Sequence, residues 1–517
     1  MRHMQEKQSK VEKKILSLFS KDADIQSRAF KAGGKSIYLF YIDCLVDSNL
    51  VANGIFGALN KLNSSDVCKG KNIINCLEKE VIAVASVKKI SEDKDVQEEI
   101  FNGSVIICEE NNKEYLAVNV AGFSKRSITE PPTSSVVRGP REGFIEDINV
   151  NLSMVIRRLK TPALAVKTLK VGARTHTKIA LVYIDGIVNP KVVKSLEEKL
   201  EKIDIDGIID SYYIEELLSS STDKFFKRLG NSEKPDVIAS RVLEGRIAIM
   251  VDGSPIVLTA PFILFEDIQS PGDYYDIPQR SSLARIVRFV GLLLAILLPG
   301  VYVALQSYQY RVLPINFLIT LLSSIEGISF PPILEILFVL FLFEILNEAS
   351  VRMPKQLGMA LSIIGALVLG DTAVQAGIIT PPSIVVVAIS GITLYIIPNQ
   401  ASEASMLRTV FTVIGGFTGI YGIFLGFIIL TTYLVTIQSY NVPYMAPFAP
   451  SVSTDKKDGF IKKPVSSMIY RPRSFKTKDD VRQVPTNSDN YTINNKKGGR
   501  LTRKSTLAKQ EGKDGAN

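Results

Sequence analysis

Histidine is nearly absent from this chain of 517 residues, which has only His3 and His176. That scarcity removes the commonest general base. No Ser/His/Asp arrangement is credible, because His3 lies in a charged end and His176 has no evident partner in the sequence. Four cysteines (Cys44, Cys68, Cys76 and Cys108) show no CxxC spacing. With two histidines they give no zinc pattern, and they read as reduced thiols of a cytosolic domain. No catalytic residue, cofactor or metal is expected, so an enzyme is not expected. Charge of one sign is scarce as well. The formal net charge is +9, but residues 451–517 hold sixteen basic and seven acidic groups, which accounts for the whole surplus. The remaining 450 residues carry 45 of each sign, so no basic surface for nucleic acid is expected. A basic tail of this kind is what the positive-inside rule keeps on the cytoplasmic side of a membrane. The opening "MRHMQEKQSKVEKK" has no apolar run after its charges, so no signal peptide is expected.

A duplicated unit is present. "SIYLFYIDCLVDSNLV" from Ser36 aligns with "KIALVYIDGIVNPKVV" from Lys178, with seven of sixteen positions identical at an offset of 142. "FNGSVIICE" (Phe101 to Glu109) aligns with "LEGRIAIMV" (Leu243 to Val251) at the same offset, Gly103 falling on Gly245. Two matches at one spacing argue for a repeated α/β module. Each copy opens with an apolar strand, breaks at Asp or Gly and runs toward a helix, then has a strand, a turn and another strand. Asp43 and Asp185 end equivalent strands. They either meet a ligand in a cleft between the two lobes or cap the turn or helix that follows, and the cap is the favoured reading.

After Arg280 the composition turns apolar. "VRFVGLLLAILLPGVYVALQ" (Val287 to Gln306) is long enough to cross a bilayer. Apolar runs at Leu357 to Gly377, Ser383 to Ile397 and Val410 to Val435 follow. The stretch from Leu313 to Glu348 is apolar but broken by Pro331 and Pro332 and carries Glu326, Glu335, Glu344 and Glu348. The fold class expected is therefore an α+β, multi-domain integral membrane protein. Its parts are a charged mobile N-terminus (1–30), two α/β cytosolic subdomains (31–130 and 131–280), a helical transmembrane domain (281–437, four to six segments, one either spanning or re-entrant) and a basic, largely disordered tail (438–517).

Three groups of residues could carry function. A charge at the bilayer centre costs at least about 2.5–3.5 kcal/mol, so Glu335 and Glu344 either line a water-filled path or pair with Arg311, Arg352 or Lys355. Glu348 reads as an ordinary solvated charge beside Arg352. Ser362, Gly365 and Leu369 fall on one stripe of small residues, which either lets helices approach closely or lines a pore with Leu369 as its constriction. "RGPREGFIEDINVNLSMVIRRL" holds Arg138, Arg141, Glu142, Glu146, Arg157 and Arg158 beside apolar positions at helical spacing. This is either a surface helix with its own ion pairs or a subunit contact that relays a signal. "KAGGKS" is not a phosphate loop, since Ala29 stands where the pattern needs Gly and a strand follows.

Several motifs together resemble one family. They are "VVRGPREGFIEDINVNLSMVIRRLK", "EKPDVIASRVLEGRIAIMVDGSP", "SPGDYY", "EILNEASVRMP", "SIIGALVLG" and "NVPYMAPFAP". In this order, over roughly residues 35 to 450, they resemble the A subunit of GerA-type spore germinant receptors. The resemblance implies an inner-membrane complex of the bacterial endospore with a transporter-like B subunit and a C-subunit lipoprotein. It also implies a response to nutrients and assembly of the A subunit into a homo-oligomeric, nutrient-gated ion channel. A non-conducting, signal-carrying scaffold is the alternative. Two features depart from the family pattern: "FFKRLGNSEKPD" replaces a Pro-rich loop, and Asp371 stands where Gln is common.

Overall fold

A computed structural model describes residues 9–32, 35–64, 73–78, 86–110, 112, 114–122, 138–219, 225–326, 328, 330–352, 370–483, 491–494 and 500–503. The chain forms two compact units. One comprises Met1–Phe262, Ser439–Val442 and Val465–Asn517, the other Ile263–Gln438 and Pro443–Pro464.

The first unit holds two five-stranded antiparallel sheets. In the first subdomain the strands are β1 (Gln26–Ala32), β2 (Lys35–Tyr41), β3 (Val87–Ile90), β4 (Ser104–Glu109) and β5 (Tyr115–Asn119), in the order β1-β2-β4-β5-β3. In the second they are β6 (Leu164–Val171), β7 (Thr177–Ile184), β8 (Gly230–Ser232), β9 (Ile247–Val251) and β10 (Val257–Ala260), in the order β6-β7-β9-β10-β8. Strand for strand the order is the same, and the period of two along each strand sorts the side chains in the same way. Ile37, Leu39, Val105 and Ile107 face one apolar cluster of the first subdomain. Their equivalents Ile179, Leu181, Ile247 and Ile249 face the corresponding cluster of the second. The alternate residues, Phe40 and Ile106 from one sheet and Val182 and Ala248 from the other, share a single core.

Helices fill the faces. In the first subdomain they are α1 (Lys10–Leu16), α2 (Gly57–Ser64), α3 (Ile73–Cys76) and α4 (Asp93–Phe101), with α5 (Ile148–Ile156) following. In the second they are α6 (Pro190–Glu201), α7 (Ser211–Leu218) and α8 (Pro235–Leu243). α4, α5 and α8 contribute Val96, Leu152 and Ile238 to the shared core. The space between the lobes, expected to be a cleft, is therefore packed with apolar side chains.

Two end segments correct the sequence reading. Residues 9–30 are not a mobile end. Ser9 caps α1, Ile15 is fully buried, and Phe19 packs on Phe101 with ring centroids 6.0 Å apart. Ser20 N–H donates to Pro162 O and Val166 N–H to Asp22 O, so this segment ties the two subdomains together. The abundance of Lys and Glu hid its few apolar anchors. Residues 438–483 are likewise folded; their anchors, Tyr444, Met468 and Phe475, are spread thinly among charges. Cys76 is disulfide-bonded, so the reduced reading holds for Cys44 and Cys108 alone among the described cysteines. Burial pushes both thiols up to about 12.

The second unit is helical. It contains α9 (Phe265–Ile268), α10 (Pro278–Ser307), α11 (Ile315–Ile325), α12 (Pro332–Arg352), α13 (Pro381–Leu394) and α14 (Ala401–Thr436, interrupted at Gly419). At 1.5 Å per residue the 30 residues of α10 reach about 45 Å, enough for a hydrocarbon layer of about 30 Å. Among the described residues, α10 and the helix ending at Thr436 are long and apolar enough to cross a membrane. α13, with 14 residues, reaches only about 21 Å. α10 and α14 approach closely at glycines: a Cβ on Gly300 would lie 2.5 Å from Phe411 O, and one on Gly415 would strike Gly300 O. Small residues at such a crossing let backbones meet where no hydrophobic force separates helix from lipid.

Candidate functional site

The acidic residues of the helical unit sit on α12. Pro332 opens this helix, so the missing N–H falls where it has no intrahelical partner to lose. Glu335 lies in its first turn and is 1% exposed. Its Oε1 accepts from Thr380 N at 2.6 Å and from Thr380 Oγ1 at 2.8 Å. Thr380 in turn caps α13, which begins with Pro381 and Pro382, and its hydroxyl lies 2.8 Å from Ser383 Oγ. The carboxylate thus sits at the positive end of a helix, held by two donors. That corrects the expectation that Glu335 faces a water-filled path, since one chain alone supplies its surroundings.

Glu344 is different. Its Oε1 accepts from Arg408 Nη2 at 2.7 Å, and Ser405 Oγ also donates to it. The Arg408 side chain is 1% exposed and that of Glu344 is 42% exposed. Arg408 Nη1 reaches Ser390 Oγ at 3.3 Å, Ser390 donates to Ala295 O at 2.8 Å, and the guanidinium lies 5.5 Å from the Phe343 ring centre. Among the described residues the partner is therefore Arg408 rather than Arg311 or Arg352, and Lys355 lies outside them. One turn along α12, Asn347 Oδ1 accepts from Tyr395 Oη at 2.5 Å, and Tyr395 is 55% exposed. Glu348 pairs with Arg352 as an exposed i,i+4 couple, as its position suggested. Ser362, Gly365 and Leu369 lie outside the described residues.

A second charged cluster precedes α10. Asp273, from the "SPGDYY" stretch, caps its own turn by accepting from Ser270 N–H. It also accepts from Arg285 Nε at 3.0 Å and from Arg288 Nη1 and Nη2, each at 2.8 Å. Arg285, fully buried, donates further to Asp458 Oδ1 at 2.9 Å and to Gly459 O at 2.7 Å. Lys462 Nζ donates to Asp273 O. Burial alone would raise the Asp273 carboxyl, but the Arg288 and Arg285 donors hold it below the usual carboxylate range. Burial and the neighbouring Arg285 charge push the Lys462 ammonium down.

In the α/β unit, α5 is an interior helix. Asp147 caps it, and Ile148 and residues 151–156 are buried. Of the six residues proposed for coupling, Glu142, Arg157 and Arg158 come together: Arg158 Nη2 donates to Glu142, and Arg157 lies 3.9 Å from it. Arg138, Arg141 and Glu146 are exposed. Asp43 and Asp185 are both exposed at the ends of β2 and β7. Neither caps a helix. Ser20 Oγ donates to Asp185, and the capping is done by Asp47 and Asn189, one turn later at the same offset of 142. Sequence reasoning missed Arg408, Asp273 and Arg285. An arginine inside the apolar run "SMLRTVFTVIGG" was the available signal for the first.

A doubled antiparallel α/β module followed by apolar helices with internal charges, two of them long enough to cross a membrane, defines a membrane-associated architecture. The sequence profile described as Bacillus/Clostridium GerA spore germination protein matches residues 13–474. Spore germination protein KA of Bacillus subtilis is 36% identical over 466 residues, covering 89% of this chain and 85% of that protein. The uncharacterized membrane protein YfkQ of the same organism is 38% identical over 396 residues, covering 76% and 77%. The crystal structure of the N-terminal domain of the A subunit of the Bacillus megaterium spore germinant receptor GerK3 is 30% identical in sequence. It covers 50% of this chain and 97% of that one, with a TM-score of 0.39. The chain belongs to the GerA family of spore germination proteins, the A subunits of germinant receptors. It is a membrane protein, and its family indicates no catalytic function.

Proposed function

We propose that this chain is the A subunit of a nutrient germinant receptor in the spore inner membrane. It acts with a B subunit and a C subunit, assembles with further copies of itself, and conducts cations when nutrient is sensed. The α/β unit and the basic end lie on the cytoplasmic side, in keeping with the positive-inside rule. One observation carries the conducting reading. Glu344, Asn347 and Tyr395 present polar groups on the outside of the helical unit, where hydrocarbon would leave them unsolvated. In a ring of subunits such a face turns toward water or toward the next copy, and a repeated carboxylate attracts cations. A scaffold that only relays the signal is favoured by a different fact: Glu335 is buried with its Oε1 accepting two hydrogen bonds from Thr380 of the same chain, and Arg408 already offsets the Glu344 charge.

The test is nutrient-triggered ion flux in liposomes carrying the assembled receptor. Conduction through this face predicts that Glu344→Lys cuts cation flux at least about tenfold or reverses its selectivity, while Glu344→Gln has a smaller effect. Receptors that assemble normally and keep both flux and selectivity with Glu344→Lys would assign the chain to the scaffold role.

A further inference from the structure

The two subdomains end differently, and the difference exposes a docking site. In the first, the chain continues past β5 and closes over its own sheet. Gly103, at φ +84°, has no room for a side chain because a Cβ there would lie 2.8 Å from Ala121 Cβ, and the next residue, Gly122, donates its N–H to Leu45 O at 3.2 Å. The equivalents in the second subdomain are Gly245, at φ +89°, and Ile187. The residues that should cover them, about 142 positions after 121 and 122, are absent from this place, because the chain passes into the helical unit after Phe262.

The place is nonetheless filled. A Cβ on Gly245 would strike Thr477 Cγ2, and Lys478 N–H donates to Ile187 O at 2.9 Å. Thr477 and Lys478 thus stand in the same two-residue register as Ala121 and Gly122. Around them, Arg471 Nε donates to Leu243 O at 2.9 Å, and the Arg246 guanidinium lies 4.3 Å from the centre of the buried Phe475 ring. Arg482 Nη1 lies 3.8 Å from Glu244 Oε1.

We propose that the surface formed by Ile187, Leu243, Glu244, Gly245 and Arg246 is a peptide-docking site, and that its occupant is residues 465–483 of this chain. The segment acts as a separable complement that replaces the local stretch 120–122 of the first repeat. The chemistry of recognition is specific: a guanidinium for a free helix-end carbonyl, an aromatic ring under a buried arginine, and a small side chain against a glycine. A backbone N–H for a strand-end carbonyl completes the set. Loss of the Arg471 guanidinium, or a proline at 478, leaves the Leu243 or Ile187 carbonyl without this donor, and a larger side chain at 477 would press on Gly245.

Hydrogen–deuterium exchange on the detergent-solubilised protein tests this. The forms compared are the full chain, a form ending at Gln483 and a form ending at Lys463. The form ending at Gln483 should match the full chain. The form ending at Lys463 should exchange at least about tenfold faster around Ile187 and residues 243–247, and a synthetic peptide of residues 465–483 should restore protection. In the full chain, Lys478→Pro removes the donor and should raise exchange at the same amides, whereas Lys478→Ala keeps it and should not. No rise on truncation would overturn the proposal. So would a rise that saturating peptide does not reverse, since the segment would then act only through its covalent attachment.

Discussion

The α/β unit and the helical unit treat charge in opposite ways. In the α/β unit the shared core is apolar, and most of its ion pairs, such as Glu142 with Arg158, are partly exposed, the buried pair of Arg246 with Glu244 lying apart from that core. In the helical unit the side chains facing outward are large and apolar, Phe341 and Phe424 among them, while Arg285, Arg408 and Glu335 are inside. A domain in water loses little by leaving a charge at its rim. One surrounded by hydrocarbon satisfies its charges inward, and every partner must be supplied by the chain or by another copy. The charges of the helical unit are therefore structural commitments, while those of the α/β unit are largely optional.

That contrast can be broken by substitution, and the largest effect is expected at Asp273. Asp273→Asn leaves Arg285 and Arg288 with a weaker partner in a buried setting and should lower stability by about 3–5 kcal/mol, measured by thermal unfolding in detergent. Because the folded carboxyl is held below its usual range, its contribution is complete above that range and is lost as pH falls through the depressed value. The wild-type midpoint should accordingly drop in acid, and the Asn variant should show a shallower acid limb. Glu335→Leu comes next. It strips an acceptor from the Thr380 N–H at the start of α13 and should cost about 1–3 kcal/mol, with Glu335→Gln recovering part of the loss. Smallest is Arg158→Ala, expected to cost at most about 1 kcal/mol because the pair is partly solvated; urea titration of the same protein checks it. A loss at Arg158 as large as that at Asp273 would erase the contrast.

The duplication was legible because strands with period two leave identities at fixed spacing, and both matched segments became strands of the two sheets. Its caps were misassigned by one turn. Asp43 and Asp185 are the repeated carboxylates, but a short turn separates them from the helix starts, so Asp47 and Asn189 do the capping. The folding of residues 9–30 and 438–483 was not legible, because each segment is held by a few apolar anchors that contact residues far away in sequence. The same holds for the site. That Glu344 needed a partner could be deduced from its apolar surroundings, but Arg408 lies 64 positions on, and no local spacing points to it. Burial of Glu335 against Thr380 depends on how α12 and α13 meet, which a single helical pattern does not encode.

The order in which a ribosome releases this chain gives the segment at 465–483 a further meaning. The first subdomain has all its parts once about residue 122 has emerged, but the second waits for the helices to be made and for the chain to come back. A nascent protein stalled during membrane insertion would show an unfinished edge at Gly245 and Ile187 to chaperones and proteases, and a fully inserted one would hide it. Successful synthesis of the helices would then be recorded on a part of the molecule that never enters them.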